Sequence, residues 1–170
     1  MTVLERLKAL RELMKERKID AYLVPTDDFH ASEYVGNYFK CRKYITGFTG
    51  SAGTAVIMQD MAGLWTDGRY FLQAADQLEG STIQLFKMGE PEVPTVHQFL
   101  ADKLEKGMCL GFDGRTVTAR EADKLEELLR EKEITFSVND DLIGEIWNDR
   151  PALSCEPVME LDVKLSLIHI

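Results

Sequence analysis

Apolar residues at Leu4, Leu7, Leu10 and Met14, separated by Glu, Arg and Lys, recur at the spacing of a helix with one buried face. Thr2-Val3-Leu4-Glu5 sets a hydroxyl ahead of that face and a carboxylate three residues later. In this arrangement each side chain satisfies a free backbone amide at a helix start. The spacing predicts a helix over about 2–17. The period then changes. Ile19 to Val24 is a β-rich run stopped by Pro25, which predicts a strand. Residues 25–41 carry neither period cleanly. Asp28 to Tyr34 reads as one or two helical turns, Gly36-Asn37 opens a loop rich in aromatics, and Arg42 to Thr46 reads as a short helical turn.

Gly47, Gly50 and Gly53 follow at a spacing of three. Thr54–Met58 and Gly63–Thr66 bracket Gln59-Asp60-Met61-Ala62 and predict a hairpin. Asp67 caps a helix from near Gly68, with Tyr70, Phe71, Ala74, Ala75 and Leu78 on its apolar face and Gly80 as its stop. Thr82–Lys87 alternates as a strand. Thr95-Val96-His97-Gln98 is a second capping box, for a helix to about Lys106, and Met108–Asp113 is a strand. Thr118 caps the last long helix, with Ala122, Leu125, Leu128 and Leu129 facing inward. Ile134–Val138 is a strand, and Asp140–Ile146 gives one more turn. Strands alternate with helices while one hairpin breaks the parallel rule. The expected class is therefore α/β, a mixed β-sheet with helices on both faces.

Beyond Asn148-Asp149-Arg150-Pro151 the periodicity stops. Residues 1–150 read as one domain and 151–170 as a truncated interdomain linker. The apolar run Leu165 to Ile170 resembles translated adapter sequence rather than native chain.

Composition removes several function classes. The 170 residues carry 20 Lys+Arg against 29 Asp+Glu, a net charge of −9, so no basic footprint exists for nucleic acid or anionic lipid. The longest apolar runs are far short of the ~20 residues of a membrane span, and Met1-Thr2-Val3-Leu4 leads straight into charged residues, unlike a signal peptide. Cys41, Cys109 and Cys155 are widely spaced, as reduced thiols would be, which fits a cytoplasmic location.

The candidate chemistry is sparse. Gly47-Phe48-Thr49-Gly50-Ser51-Ala52-Gly53 enters a strand rather than a helix and lacks Gly-Lys-Ser/Thr, so close backbone approach explains its glycines better than a phosphate does. Ser51 lacks the strand-nucleophile-helix setting of a hydrolase elbow. His30, His97 and His169 show no metal-ligand spacing, even with Asp27 and Asp28 beside His30.

Several longer motifs carry a resemblance. They are His30-Ala31-Ser32-Glu33-Tyr34, the run Gly47-Phe48-Thr49-Gly50-Ser51-Ala52-Gly53-Thr54-Ala55, then Leu64-Trp65-Thr66-Asp67-Gly68-Arg69-Tyr70-Phe71-Leu72-Gln73-Ala74, and Ile146-Trp147-Asn148-Asp149-Arg150-Pro151. Together, over about 2–157, they resemble the first domain of the three-domain Xaa-Pro aminopeptidases, of the creatinase/prolidase N-terminal type, with a ribonuclease H-like topology.

The resemblance implies a non-catalytic domain of a cytoplasmic metallopeptidase that removes the residue ahead of a proline at position two. Two divalent metal ions, manganese by analogy, would sit in a separate catalytic domain whose ligands cannot be placed here. This chain alone would hold no cofactor and be inactive. Its partners would be the second and catalytic domains, proline-containing peptides through the full enzyme, and a second copy in a homodimer.

Within that frame Tyr38, Phe39, Lys40, Arg42, Tyr44 and Phe48 form an aromatic and basic segment. With His30 and Tyr34 it is expected to face the catalytic domain or a substrate channel. The competing expectation is that Tyr44 and Phe48 are core. Arg69 either braces the Gly47–Gly53 loop or reaches substrate. An exposed apolar patch is expected where the other domains would pack. Two other functions stay open, a free-standing binding module of the same fold and a small hydrolase using Ser51 or His30.

Overall fold

Six strands line up as β4-β3-β2-β1-β5-β6 in a computed structural model that describes residues 1–157 and Lys164. They are β1 (Ala21–Pro25), β2 (Thr54–Met58), β3 (Ala62–Thr66), β4 (Gln84–Lys87), β5 (Cys109–Phe112) and β6 (Thr135–Ser137). The hairpin joins β2 and β3 antiparallel, and β1 lies antiparallel to β2 but parallel to β5. The pairs β3–β4 and β5–β6 are parallel. The mixed sheet expected from the pattern is therefore present.

Successive side chains of a strand point to opposite faces, so each central strand feeds two cores. Tyr22, Val24, Ala55, Ile57 and Leu64 go to one face. There they meet α1 (Val3–Arg17), α2 (Cys41–Thr46) and α6 (Leu142–Ile146) through Leu7, Leu10, Met14, Ile45 and Leu142. The short helix α3 (Phe71–Gln77) adds Ala74 to this side. Ala21, Leu23, Val56, Met58 and Trp65 go to the other face. It is closed by Phe99 and Leu100 of α4 (Val96–Lys103) and by Leu125 and Leu129 of α5 (Ala119–Leu129). Trp65 is fully buried, stacks on Phe86 with ring centroids 4.0 Å apart, and donates its indole N–H to the Pro94 carbonyl at 2.8 Å. Both capping boxes form, Thr2 with Glu5 and Thr95 with Gln98.

Several local expectations need correction. Residues 28–34 form no helix. The Asp28 carboxylate accepts from the amides of His30 and Ser32, and Ala31 takes a φ of 53°, so the side chain shapes a turn that competes with helix formation. The helix expected from Gly68 begins as a 3-10 turn over Gly68–Tyr70 before α3. Ala75 and Leu128 face solvent, while Ala74 and Leu129 beside them are buried. α4 stops at Lys103 because Leu104 is extended with ψ 128°. Residues 151–157 carry no regular structure. The expectation for 165–170 lies outside the described residues.

Candidate functional site

Of the functional candidates, Tyr34, Arg42 and Phe48 gather at one end of the sheet, where β1 ends at Pro25 and β2 begins at Thr54. The glycine-rich segment between α2 and β2 is held there from below by Arg42. This side chain is buried at 3% exposure. Its Nε donates to the Thr26 hydroxyl at 2.8 Å, its Nη1 to the Phe48 carbonyl at 2.5 Å, and its Nη2 to the Gly50 carbonyl. Thr26 in turn donates to the Gly53 carbonyl through both amide and hydroxyl, and Thr66 donates to the Ala52 carbonyl at 2.7 Å. Carbonyl oxygens thus converge on a cation. A phosphate cradle has the reverse polarity, with amides aimed at an anion. Burial pushes the Arg42 guanidinium down to about 10, so at neutral pH it keeps its proton and donates.

The expectation for the 38–48 segment is corrected in part. Phe48 is fully buried under the loop, with the Arg42 guanidinium 4.7 Å from its ring centre, and Phe39 is buried too. The core alternative describes Phe48. A Cβ on Gly50 would fall 2.2 Å from the Phe48 ring, so this glycine is required by close approach. Tyr44 is largely buried, stacks on Trp147 with centroids 4.5 Å apart, and donates its hydroxyl to the Ile146 carbonyl at 3.0 Å. Arg69 does not brace the loop. Its guanidinium pairs with Asp67 at 2.8 and 2.9 Å, and its side chain is 70% exposed. The bracing role falls to Arg42, which enters from α2 directly beneath the loop.

His30 and Tyr34 remain at the surface, and Tyr34 is 84% exposed. Tyr34 and Glu33 border a cavity of about 250 Å³ beside Arg42 and Gly50. Across Thr26, Glu33 and Ser51 lies a wider groove of about 650 Å³, which runs to Met88, His97 and Glu121. Asp27 lines this groove, and burial pushes its carboxyl up. His97 meets Glu121 at 2.8 Å across α4 and α5. The Ser51 hydroxyl pairs with the Tyr70 hydroxyl at 2.7 Å, not with an imidazole, and the His30 ring packs edge-on against Phe29. These contacts give neither Ser51 nor His30 the partner a nucleophile would need. Among the described residues no three His, Cys, Asp or Glu side chains converge to hold a metal ion. Nor is any helix among them long and apolar enough to cross a membrane. The exposed large apolar side chains include Phe29 and Tyr34 on one loop, with Leu72, Met88 and Leu128 on other elements.

A second arginine cluster was not singled out from the sequence. Arg150 pairs with Asp141, donates to the Tyr38 carbonyl at 2.8 Å, and lies 3.7 Å from the centre of the Tyr38 ring. Arg115 joins Asp113 and Asp141 at 2.8 and 2.6 Å and reaches the Tyr38 hydroxyl at 3.1 Å. The Asp149-Arg150-Pro151 motif was its one signal in the sequence, as a domain-end mark.

The sequence matches the creatinase/prolidase N-terminal domain over residues 6–143. The chain belongs to that family. It is 45% identical over 164 residues to a probable Xaa-Pro aminopeptidase P of Tuber melanosporum, a match that covers 95% of this chain and 26% of the relative. It is 43% identical to aminopeptidase P2 of Arabidopsis thaliana, covering 98% and 24%. The chain thus spans about a quarter of the length of these curated relatives. Its fold matches the X-prolyl aminopeptidase of Caenorhabditis elegans, described as a cytosolic enzyme with a di-nuclear active site. That match has a TM-score of 0.88 and 40% identity, and covers 96% of this chain and 28% of the other. The N-terminal domain of the peptidase PepQ from Mycobacterium tuberculosis, solved by itself, matches at a TM-score of 0.59 and 26% identity, covering 84% and 98%.

Proposed function

We propose that this chain is the non-catalytic first domain of a cytoplasmic, metal-dependent Xaa-Pro aminopeptidase, which removes the residue ahead of a proline at position two. The supporting observation is the near-complete match of this chain to one quarter of such peptidases. In this reading residues 1–150 are the domain and 151–170 the start of a linker. Two divalent ions, manganese in our proposal, belong to a different part of the enzyme. The described residues here do not form a fitting ligand set, so no metal-dependent step is assigned to this chain.

The domain's contribution is to shape access. Tyr34, at the edge of the cavity beside Arg42 and Gly50, and the exposed His30 face the substrate path in this reading. Arg42 and Phe48 fix the glycine loop from beneath, Tyr44 anchors α2 against Trp147, and Arg69 stays at the surface. The full enzyme works as a homodimer in this reading.

The test compares this 170-residue chain with the longer protein, each given an Xaa-Pro peptide and added manganese. Cleavage by the longer protein alone is the expected result. Turnover by the 170-residue chain overturns the non-catalytic assignment. In the longer protein, Tyr34→Ala is expected to raise KM with little change in melting temperature. An unchanged KM removes Tyr34 from the substrate path.

A further inference from the structure

A depression of about 440 Å³ lies between α1, α2 and the path of the chain out of α6. Arg6, Lys40, Lys43, Tyr44, Trp147 and Pro151 are among its walls. The stacked Tyr44 and Trp147 rings give it an apolar side, and three cations surround them. Asp149 lines the same depression, yet no ion pair joins it to any of the three among the described residues.

The three cations stand apart from Arg17, Arg69, Arg115 and Arg150, each of which has a carboxylate partner. Among the described residues the Lys40 ammonium donates to the Asn37 side-chain carbonyl alone, at 2.6 Å. Arg6 gives one Nη proton to the Tyr44 carbonyl at 2.6 Å and lies 4.3 Å from the centre of that ring. Its Nε is buried and lacks a hydrogen-bond partner among the described residues. In a chain of net charge −9, this clustering of cations is a local inversion of sign.

We infer that the depression receives a carboxylate-bearing stretch of the polypeptide that follows residue 170 in the longer protein; this rests on the reading proposed above. Three observations favour that occupant. The charge is complementary, because Arg6, Lys40 and Lys43 stand on the walls with no carboxylate partner among the described residues. Pro151 lies on the wall, so the polypeptide leaving the domain starts at the edge of the depression. The curated relatives are about four times as long as this chain, which supplies the polypeptide to cover it.

Amide hydrogen exchange tests the inference, read at Tyr44 and Gly47, whose amides donate to the Lys40 and Lys43 carbonyls. These amides are expected to exchange at least about tenfold more slowly in the longer protein than in the 170-residue chain, a factor equivalent to ~1.4 kcal/mol of local stability. Lys40→Glu/Lys43→Glu in the longer protein should remove most of that difference, and so should raised salt. Lys43→Glu alone, at an exposed side chain, checks that a global loss of folding is not the cause. Equal exchange in the two proteins overturns the inference, as does protection insensitive to charge reversal. Slower exchange that appears in the 170-residue chain as its concentration rises identifies a second copy instead and also overturns it. Peptide cleavage by the longer protein is read separately, so the functional proposal and this docking site can fail independently.

Discussion

Arg42 and Arg150 both pin irregular segments of the chain, but against opposite chemistry. Arg42 is buried among neutral acceptors, two loop carbonyls and a threonine hydroxyl, with no carboxylate among its partners. Arg150 sits at the domain's edge against Asp141, with Arg115 sharing the same carboxylate. The first solution spends a full charge on fixing backbone. The glycine loop has carbonyls that no strand can satisfy, and one guanidinium collects two of them at once. The second ties sequence-distant pieces together, since Arg150 holds the chain beyond α6 to Tyr38 and to Cys41 at the head of α2. A buried cation on dipoles is hard to replace, whereas a shared carboxylate cluster has redundancy.

The contrast can be broken most forcefully at Arg42. Arg42→Ala leaves the Phe48 and Gly50 carbonyls without the donor they have here, at about 1–3 kcal/mol each, and should cost about 2–6 kcal/mol. Thermal or urea unfolding measures it, and a loss below about 1 kcal/mol would mean that the loop is held by something else. Arg42→Lys should recover only part of the loss, because an ammonium cannot match the planar fork. Gly50→Ala comes next, at about 3 kcal/mol, because the new methyl must displace the Phe48 ring.

Arg150→Ala should cost less, about 2 kcal/mol, since Arg115 still holds Asp141. It has a second readout. Burial pushes the Cys41 thiol up to about 12, and Arg150 lies 3.3 Å from its sulfur. In the parent chain a thiol–disulfide reagent at pH 8 should modify exposed Cys155 first and leave Cys41 intact. Arg150 is a cation that holds this thiol lower than burial alone would, so in Arg150→Ala the thiol moves further up and Cys41 should stay unmodified. Modification of Cys41 without global unfolding would show that Arg150 also shields it sterically.

The smallest effect is expected at Arg69. Side-chain hydrogen bonds from Arg69 hold the Asp67 carboxyl down at about 2. The sign follows directly. The folded value lies below the unfolded one of ~3.9, so the pair stabilises the fold above that pH and loses its contribution as pH falls toward 2. Exposure keeps this small, and Arg69→Ala should move the neutral-pH melting temperature by no more than about 2 °C. Unchanged kinetics in the longer protein would remove Arg69 from the substrate path.

Much of the fold was legible because its signals are local. Thr2 with Glu5 and Thr95 with Gln98 announce helix starts within four residues, and the two short apolar runs of β2 and β3 on either side of Gln59-Asp60-Met61 declare their hairpin. The segment around Asp28 was not legible. One carboxylate accepting two amides outweighs the helical preference of Ala31 and Glu33, and no periodicity records that competition. The site was legible as a region but not as contacts. Arg42 and Arg69 both flank the glycine loop in sequence, and only the third dimension shows which lies beneath it. Arg115, Asp141 and Arg150 meet across separate elements, so spacing along the chain carries no trace of them beyond the terminal motif.

The position of β1 at the centre of the sheet sets an order of events during synthesis. Its antiparallel neighbour β2 lies within the first sixty residues, and β3 completes a three-stranded meander soon after. Its parallel neighbour comes much later, since Ala21 pairs with Leu110. Short-range pairings close with less loss of chain entropy than long-range ones. An emerging chain can therefore assemble α1, β1, β2 and β3 around the Leu7, Leu10 and Met14 face while β5 is still in the ribosome. Until β5 arrives, β1 presents an open edge, and the late strands act as its cover.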